Sequence, residues 1–83
     1  MRDNLRTILN FLASIEIDKT GKAWKTGSEI KDDLDMLIED INDAIEVAEK
    51  RGFVEWMRFT GSAPYYFSKV TITSEGRLWI ENV

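Results

Sequence analysis

The strongest structural signal in the chain is the stretch from Leu37 to Val54, LIEDINDAIEVAEKRGFV. Its apolar residues recur at helical spacing, at positions 37, 38, 41, 44, 45 and 48. That spacing predicts a helix with one buried face. Lys50 and Arg51 suit the negative end of a helix, and Gly52 can adopt the left-handed conformation that closes one. We therefore predict a helix that ends at Gly52 and leads into a strand.

Three elements are predicted before this helix. Apolar residues at helical spacing between positions 5 and 15 predict a first helix, and a short strand follows around Trp24, which we expect to anchor the core. Thr26 and Glu29 then have the spacing of a capping box, in which each side chain accepts a hydrogen bond from the other residue's backbone N–H. This pair predicts the start of a second helix, and Asp35 is a candidate cap for the third.

The C-terminal third of the chain predicts a β-hairpin and a closing helix. The segments from Phe53 to Phe59 and from Tyr65 to Ile72 are rich in aromatic and β-branched residues, and the loop between them contains Pro64, the single proline. Thr73 is placed to cap a short final helix. The element order predicts an α+β fold, and we interpret residues 1–83 as a single domain.

Composition argues against several classes of function. The chain has no cysteine and no histidine, so thiolate metal sites and the usual nucleophile–histidine pairs are excluded. Ser28 and Ser62 have no base beside them, and the carboxylates form no recognisable acid–base pair. We therefore expect a protein that is not an enzyme and that has no cofactor and no metal.

The location of the protein is predicted from its hydropathy. No window approaches eighteen uninterrupted apolar residues, and the N-terminal segment mixes acids with its hydrophobic residues. We expect no contact with a membrane. The lack of cysteine fits a reducing compartment, so the expected location is the cytoplasm.

Three motifs carry a resemblance to a known family. They are the segment from Thr26 to Ala48, the junction from Glu49 to Val54, and the segment from Val70 to Arg77. In this order, they resemble the winged helix-turn-helix domains of many prokaryotic transcriptional regulators. The resemblance implies a winged helix with a three-helix core, a β-hairpin wing and a short C-terminal helix.

The resemblance also implies a function. In that family the third helix enters the major groove of double-stranded DNA, and the wing contacts the backbone nearby. We therefore expect a DNA-binding domain of transcriptional-regulator type that acts as a homodimer. The candidate DNA-binding residues are Lys22, Lys25, Asn42, Lys50, Arg51, Arg58 and Lys69.

The charge of the third helix supports an alternative function. Between positions 32 and 49 every charged residue is an acid, at positions 32, 33, 35, 39, 40, 43, 46 and 49. Such a surface repels phosphate and suits a basic protein partner. The alternative is a protein-interaction module that does not bind DNA and uses the acidic third helix or the aromatic wing. If Val70 and Ile72 point inward, strand alternation turns Tyr65 and Phe67 outward. The candidate protein-interaction residues are Asp40, Asp43, Glu46, Val47, Tyr65 and Phe67.

Overall fold

The computed structural model describes residues 2–15, 23–59, 61 and 63–81. These residues form a small α+β domain with four helices and a three-stranded antiparallel sheet, in the predicted order. The elements are α1 (Arg2–Ser14), β1 (Lys25–Thr26), α2 (Gly27–Leu34), α3 (Ile38–Lys50), β2 (Val54–Met57), β3 (Lys69–Ile72) and α4 (Ser74–Glu81).

The sheet has the order β1-β3-β2, so the last strand in sequence is the central one. Val70, Thr71 and Ile72 of this central strand are all buried. The two strands of the hairpin are shorter than predicted. The described residues between Met57 and Lys69 (58, 59, 61 and 63–68) form a loop, which we call the hairpin loop.

One hydrophobic core joins the helices to the sheet. The apolar stripe of α3 contributes Ile41, Ala44, Ile45 and Ala48, as its spacing predicted. Buried residues from α1, α2, β2 and β3 complete the cluster: Leu5, Ile8, Leu9, Leu12, Ile30, Val54, Val70 and Ile72, with Phe67 from the hairpin loop. The partly buried Trp79 and Ile80 of α4 pack against it. The prediction that Trp24 anchors this core is wrong, because its half-buried ring lies under the Lys69 ammonium instead.

The helix ends follow local sequence signals closely. The capping box of α2 is present, with Thr26 Oγ1 accepting from the Glu29 N–H at 3.2 Å. At the end of α3, Gly52 has a φ of +79°, and the Phe53 N–H donates to the Ala48 carbonyl at 2.8 Å. This is the glycine-closed helix end that the sequence predicted. Thr73 caps α4 by accepting from the Gly76 N–H at 3.1 Å.

One predicted cap is wrong. Asp35 does not cap α3; it ends α2 in the left-handed conformation, with a φ of 52°, and its N–H donates to the Lys31 carbonyl at 2.8 Å. Aspartate tolerates that conformation better than most residues. The N-cap position of α3 is Leu37, which has no capping side chain.

Candidate functional site

Three of the predicted cations lie at one end of the sheet. Lys69 is the first residue of β3 and pairs with Thr26 on one side and with Met57 on the other. Lys25 is the neighbour of Thr26, and Arg58 follows Met57 directly. The fold therefore brings the backbone positions of Lys25, Arg58 and Lys69, which are far apart in sequence, to one end of the sheet, and we call these residues the sheet-end cations.

Two of the sheet-end cations are held over tryptophan rings. The Lys69 ammonium lies 4.8 Å from the centre of the Trp24 ring, and the Arg58 guanidinium lies 4.7 Å from that of Trp56. Such contacts stabilise a cation without cancelling its charge through a carboxylate. Among the described residues, neither Lys69 nor Arg58 is in an ion pair. Sequence patterns did not reveal the Lys69–Trp24 contact, because it depends on the pairing of β1 with β3. The Arg58–Trp56 contact joins residues two positions apart.

The third sheet-end cation, Lys25, is linked to the start of α2. Its ammonium lies 3.5 Å from Glu29 Oε2. The Thr26 backbone N–H, with help from the Thr26 hydroxyl and Lys25, holds the pKa of Glu29 below its usual value. Glu29 is therefore ionised at neutral pH and offsets part of the charge of Lys25. Both side chains remain partly accessible to solvent.

The remaining predicted cations do not join this group. Lys50 is the last residue of α3, and Arg51 follows it before the start of β2, whereas Arg58 lies past the end of β2. The exposed Lys50 ammonium is 3.5 Å from Glu46 Oε1, one helical turn away. Arg51 is exposed. Lys22 lies outside the described residues.

Asn42 does not face solvent, and its predicted outward placement is wrong. Its side chain is only 4% exposed. The amide Nδ2 donates to the Pro64 carbonyl at 3.1 Å, and Oδ1 accepts from the Tyr66 N–H at 2.9 Å. Because both ends of the amide are occupied by the hairpin loop, Asn42 is not available to read a base in this conformation.

The acidic surface of α3 is largely where the sequence placed it. Glu39, Asp43 and Glu46 are exposed, and Asp40 is half-buried. Val47 lies on the same helix and is 37% exposed. No described residues form a group of three or more His, Cys, Asp or Glu side chains that could hold a metal ion.

The aromatic residues of the hairpin loop differ from the prediction. Phe67 is only 1% exposed and stacks near Trp56, with ring centres 6.3 Å apart, so its predicted role at an interface is wrong. Tyr65 is half-buried, and Tyr66 is 47% exposed. The alternation failed because regular pairing starts only at Lys69. In the loop, the Phe59 N–H donates to the Ser68 hydroxyl instead of to a strand carbonyl.

Comparison with protein-family models, with curated proteins and with solved structures found no match to this chain. None of the described helices has the length and apolar composition needed to cross a bilayer.

Proposed function

We propose that the chain is a winged-helix domain of transcriptional-regulator type that binds double-stranded DNA, with the hairpin as its wing. The observation that carries the proposal is the placement of Lys25, Arg58 and Lys69 at the same end of the sheet, the end that adjoins the hairpin loop. Cations placed at one end of a fold favour contact with phosphates. The order of the elements, with α2 and α3 before the hairpin, supports the same interpretation.

In this proposal the DNA is held mainly by its phosphates. Asn42 is occupied by the hairpin loop, and the exposed charged residues along the middle of α3 are acids. Glutamate and aspartate can accept from a cytosine amino group, but they repel the phosphates on either side. We therefore expect weak sequence preference and binding that depends strongly on salt.

The salt dependence of binding tests this proposal. Three phosphate contacts predict that log K falls against log salt with a slope of about −2.7. Affinity for a random-sequence duplex should then fall about 40-fold between about 50 mM and about 200 mM salt. Fluorescence anisotropy of a labelled duplex measures this. No binding at the lower salt concentration would contradict the proposal.

Single substitutions locate the contacts. Lys69→Gln and Arg58→Gln should each weaken binding and make the slope shallower by about 0.9, because each removes one phosphate contact. The matched control is Lys50→Gln, which removes a cation that is paired with Glu46 away from the sheet end. If Lys50→Gln and Lys69→Gln weakened DNA binding equally, binding would depend only on the net charge of the protein and not on the sheet-end cations.

A second candidate function is a protein-interaction module. The observation that favours it is the exposed acidic surface of α3, formed by Glu39, Asp43 and Glu46, with Val47 beside it. Acidic side chains next to a small exposed apolar residue suit a basic protein partner, because the negative charge attracts the partner as it approaches. In this alternative the hairpin serves only to complete the fold.

Neutralising the acidic surface separates the two candidates. The double variant Asp43→Asn, Glu46→Gln should weaken binding of a lysine-rich peptide about three- to tenfold if α3 is a docking surface. It should leave DNA binding unchanged or slightly stronger, because repulsion of phosphate is reduced. Glu75→Gln, which removes an exposed acid on α4, is the control. Unchanged peptide binding would argue against the second candidate.

The homodimer stays a prediction.

A further inference from the structure

The hairpin loop is fastened to α3 through one side chain. Asn42 bonds to Pro64 and to Tyr66, which are 22 and 24 residues away in sequence. The Pro64 carbonyl needs a donor, and the Tyr66 N–H needs an acceptor. A primary amide supplies both at once, whereas a carboxylate only accepts. The residue type at position 42 therefore matches the two backbone groups that it faces.

A second contact holds the same loop against α2. The Tyr65 ring lies on Gly27, and a Cβ at position 27 would overlap the ring atoms. Gly27 is itself buried. Two residues after Tyr65, Phe67 inserts into the core. The loop segment from position 64 to 67 thus packs onto both helices and does not project freely from the sheet.

We infer that Asn42 is a positioning residue that sets the hairpin loop against α3 and thereby fixes where Arg58, the cation at the start of the loop, stands. Arg58 is the first residue of the hairpin loop, and the N–H of the next residue, Phe59, donates to the hydroxyl of Ser68 at the other end of the loop. Lys69 is already placed by its pairing with Met57 in the sheet, so a loop held at its middle constrains Arg58. The effect of this positioning on DNA binding rests on the proposed function, but the hydrogen bonds between Asn42 and the hairpin loop do not.

The first test follows the Tyr66 amide by NMR hydrogen exchange. Asn42→Ala should raise its exchange rate by about tenfold or more, because the acceptor is lost and the loop is released. The amides of the α3 core, such as that of Ile45, should change much less. Asp43→Ala changes the adjacent exposed residue and is the control. An unchanged Tyr66 exchange rate in Asn42→Ala would overturn the inference.

Asn42→Asp provides a rescue that a purely space-filling role would not show. At about pH 7 the introduced carboxylate can accept from the Tyr66 N–H but cannot donate to the Pro64 carbonyl. Burial raises the pKa of a carboxyl above the free value of about 3.9, and the protonated form regains a donor. The native Tyr66 amide shift should therefore return as the pH falls towards about 4 to 5. In the wild type, the amide side chain at position 42 does not titrate.

The second test asks whether the contacts of Asn42 with the hairpin loop affect DNA affinity. With the random duplex, Asn42→Ala should lose affinity severalfold at low salt, and Asp43→Ala should not. If wild type binds no DNA, the proposed function fails while the exchange and pH results still decide the fastening. If wild type binds and Asn42→Ala releases Tyr66 without loss of affinity, the positioning role is overturned.

Discussion

Phe67→Ala is expected to lower the free energy of unfolding by about 3–5 kcal/mol, the usual cost of truncating a fully buried phenylalanine. The ring is 1% exposed and lies beside Trp56 and Tyr65, with the Tyr65 ring centre 6.0 Å away. Truncation would leave a cavity where the hairpin loop meets the core. Urea denaturation monitored by tryptophan fluorescence measures the change.

The neighbouring residue supplies a matched control. Tyr66 is 47% exposed, and its contact with Asn42 is made by its backbone N–H. Tyr66→Ala should therefore change stability by only about 0.5 kcal/mol, the usual range for surface substitutions. If Phe67→Ala were as mild as Tyr66→Ala, Phe67 would face solvent, as alternation along the strand had predicted.

Gly76→Ala is expected to cost about 2–3 kcal/mol in the same measurement. A Cβ at this position would overlap the Phe53 carbonyl oxygen and lie 2.9 Å from Ile72 Cγ1. A backbone carbonyl cannot move aside as a flexible side chain can. The substitution must therefore shift α4 away from the junction between α3 and β2.

The sign of this effect is informative. In a helix with open space, alanine is more favourable than glycine by about 1 kcal/mol. Stabilisation by Gly76→Ala would thus contradict the close approach of α4 to Phe53. Glu75→Ala, at the preceding exposed position, should change stability by only about 0.3–1 kcal/mol, through its place in the first turn.

Much of the fold follows from signals that are local in sequence. The stripe of α3 predicted four of its buried residues, Ile41, Ala44, Ile45 and Ala48, because helical periodicity fixes which side chains share a face. Leu37, which the stripe also included, precedes the helix and is 66% exposed. The Thr26–Glu29 pair and Gly52 predicted two helix ends, because caps depend only on residues within a few positions. Asp35 shows the ambiguity of such signals, since the same residue type suits a helix start and a left-handed helix end.

The candidate site was less predictable because it depends on long-range pairing. The grouping of Lys25 with Lys69 follows from the register of β1 and β3, which no local pattern specifies. Asn42 had a position on the helix compatible with exposure, but the hairpin loop returns to cover it. Phe67 was misplaced because alternation was extended into residues that do not form a strand.

The most direct test of the DNA-binding proposal is a backbone-amide NMR titration with random-sequence duplex DNA at low and moderate salt. We predict shifts at Lys25, Arg58 and Lys69 that weaken as salt is added, with little change between Glu39 and Glu46. No shifts at low salt, or shifts confined to α3, would contradict the proposal.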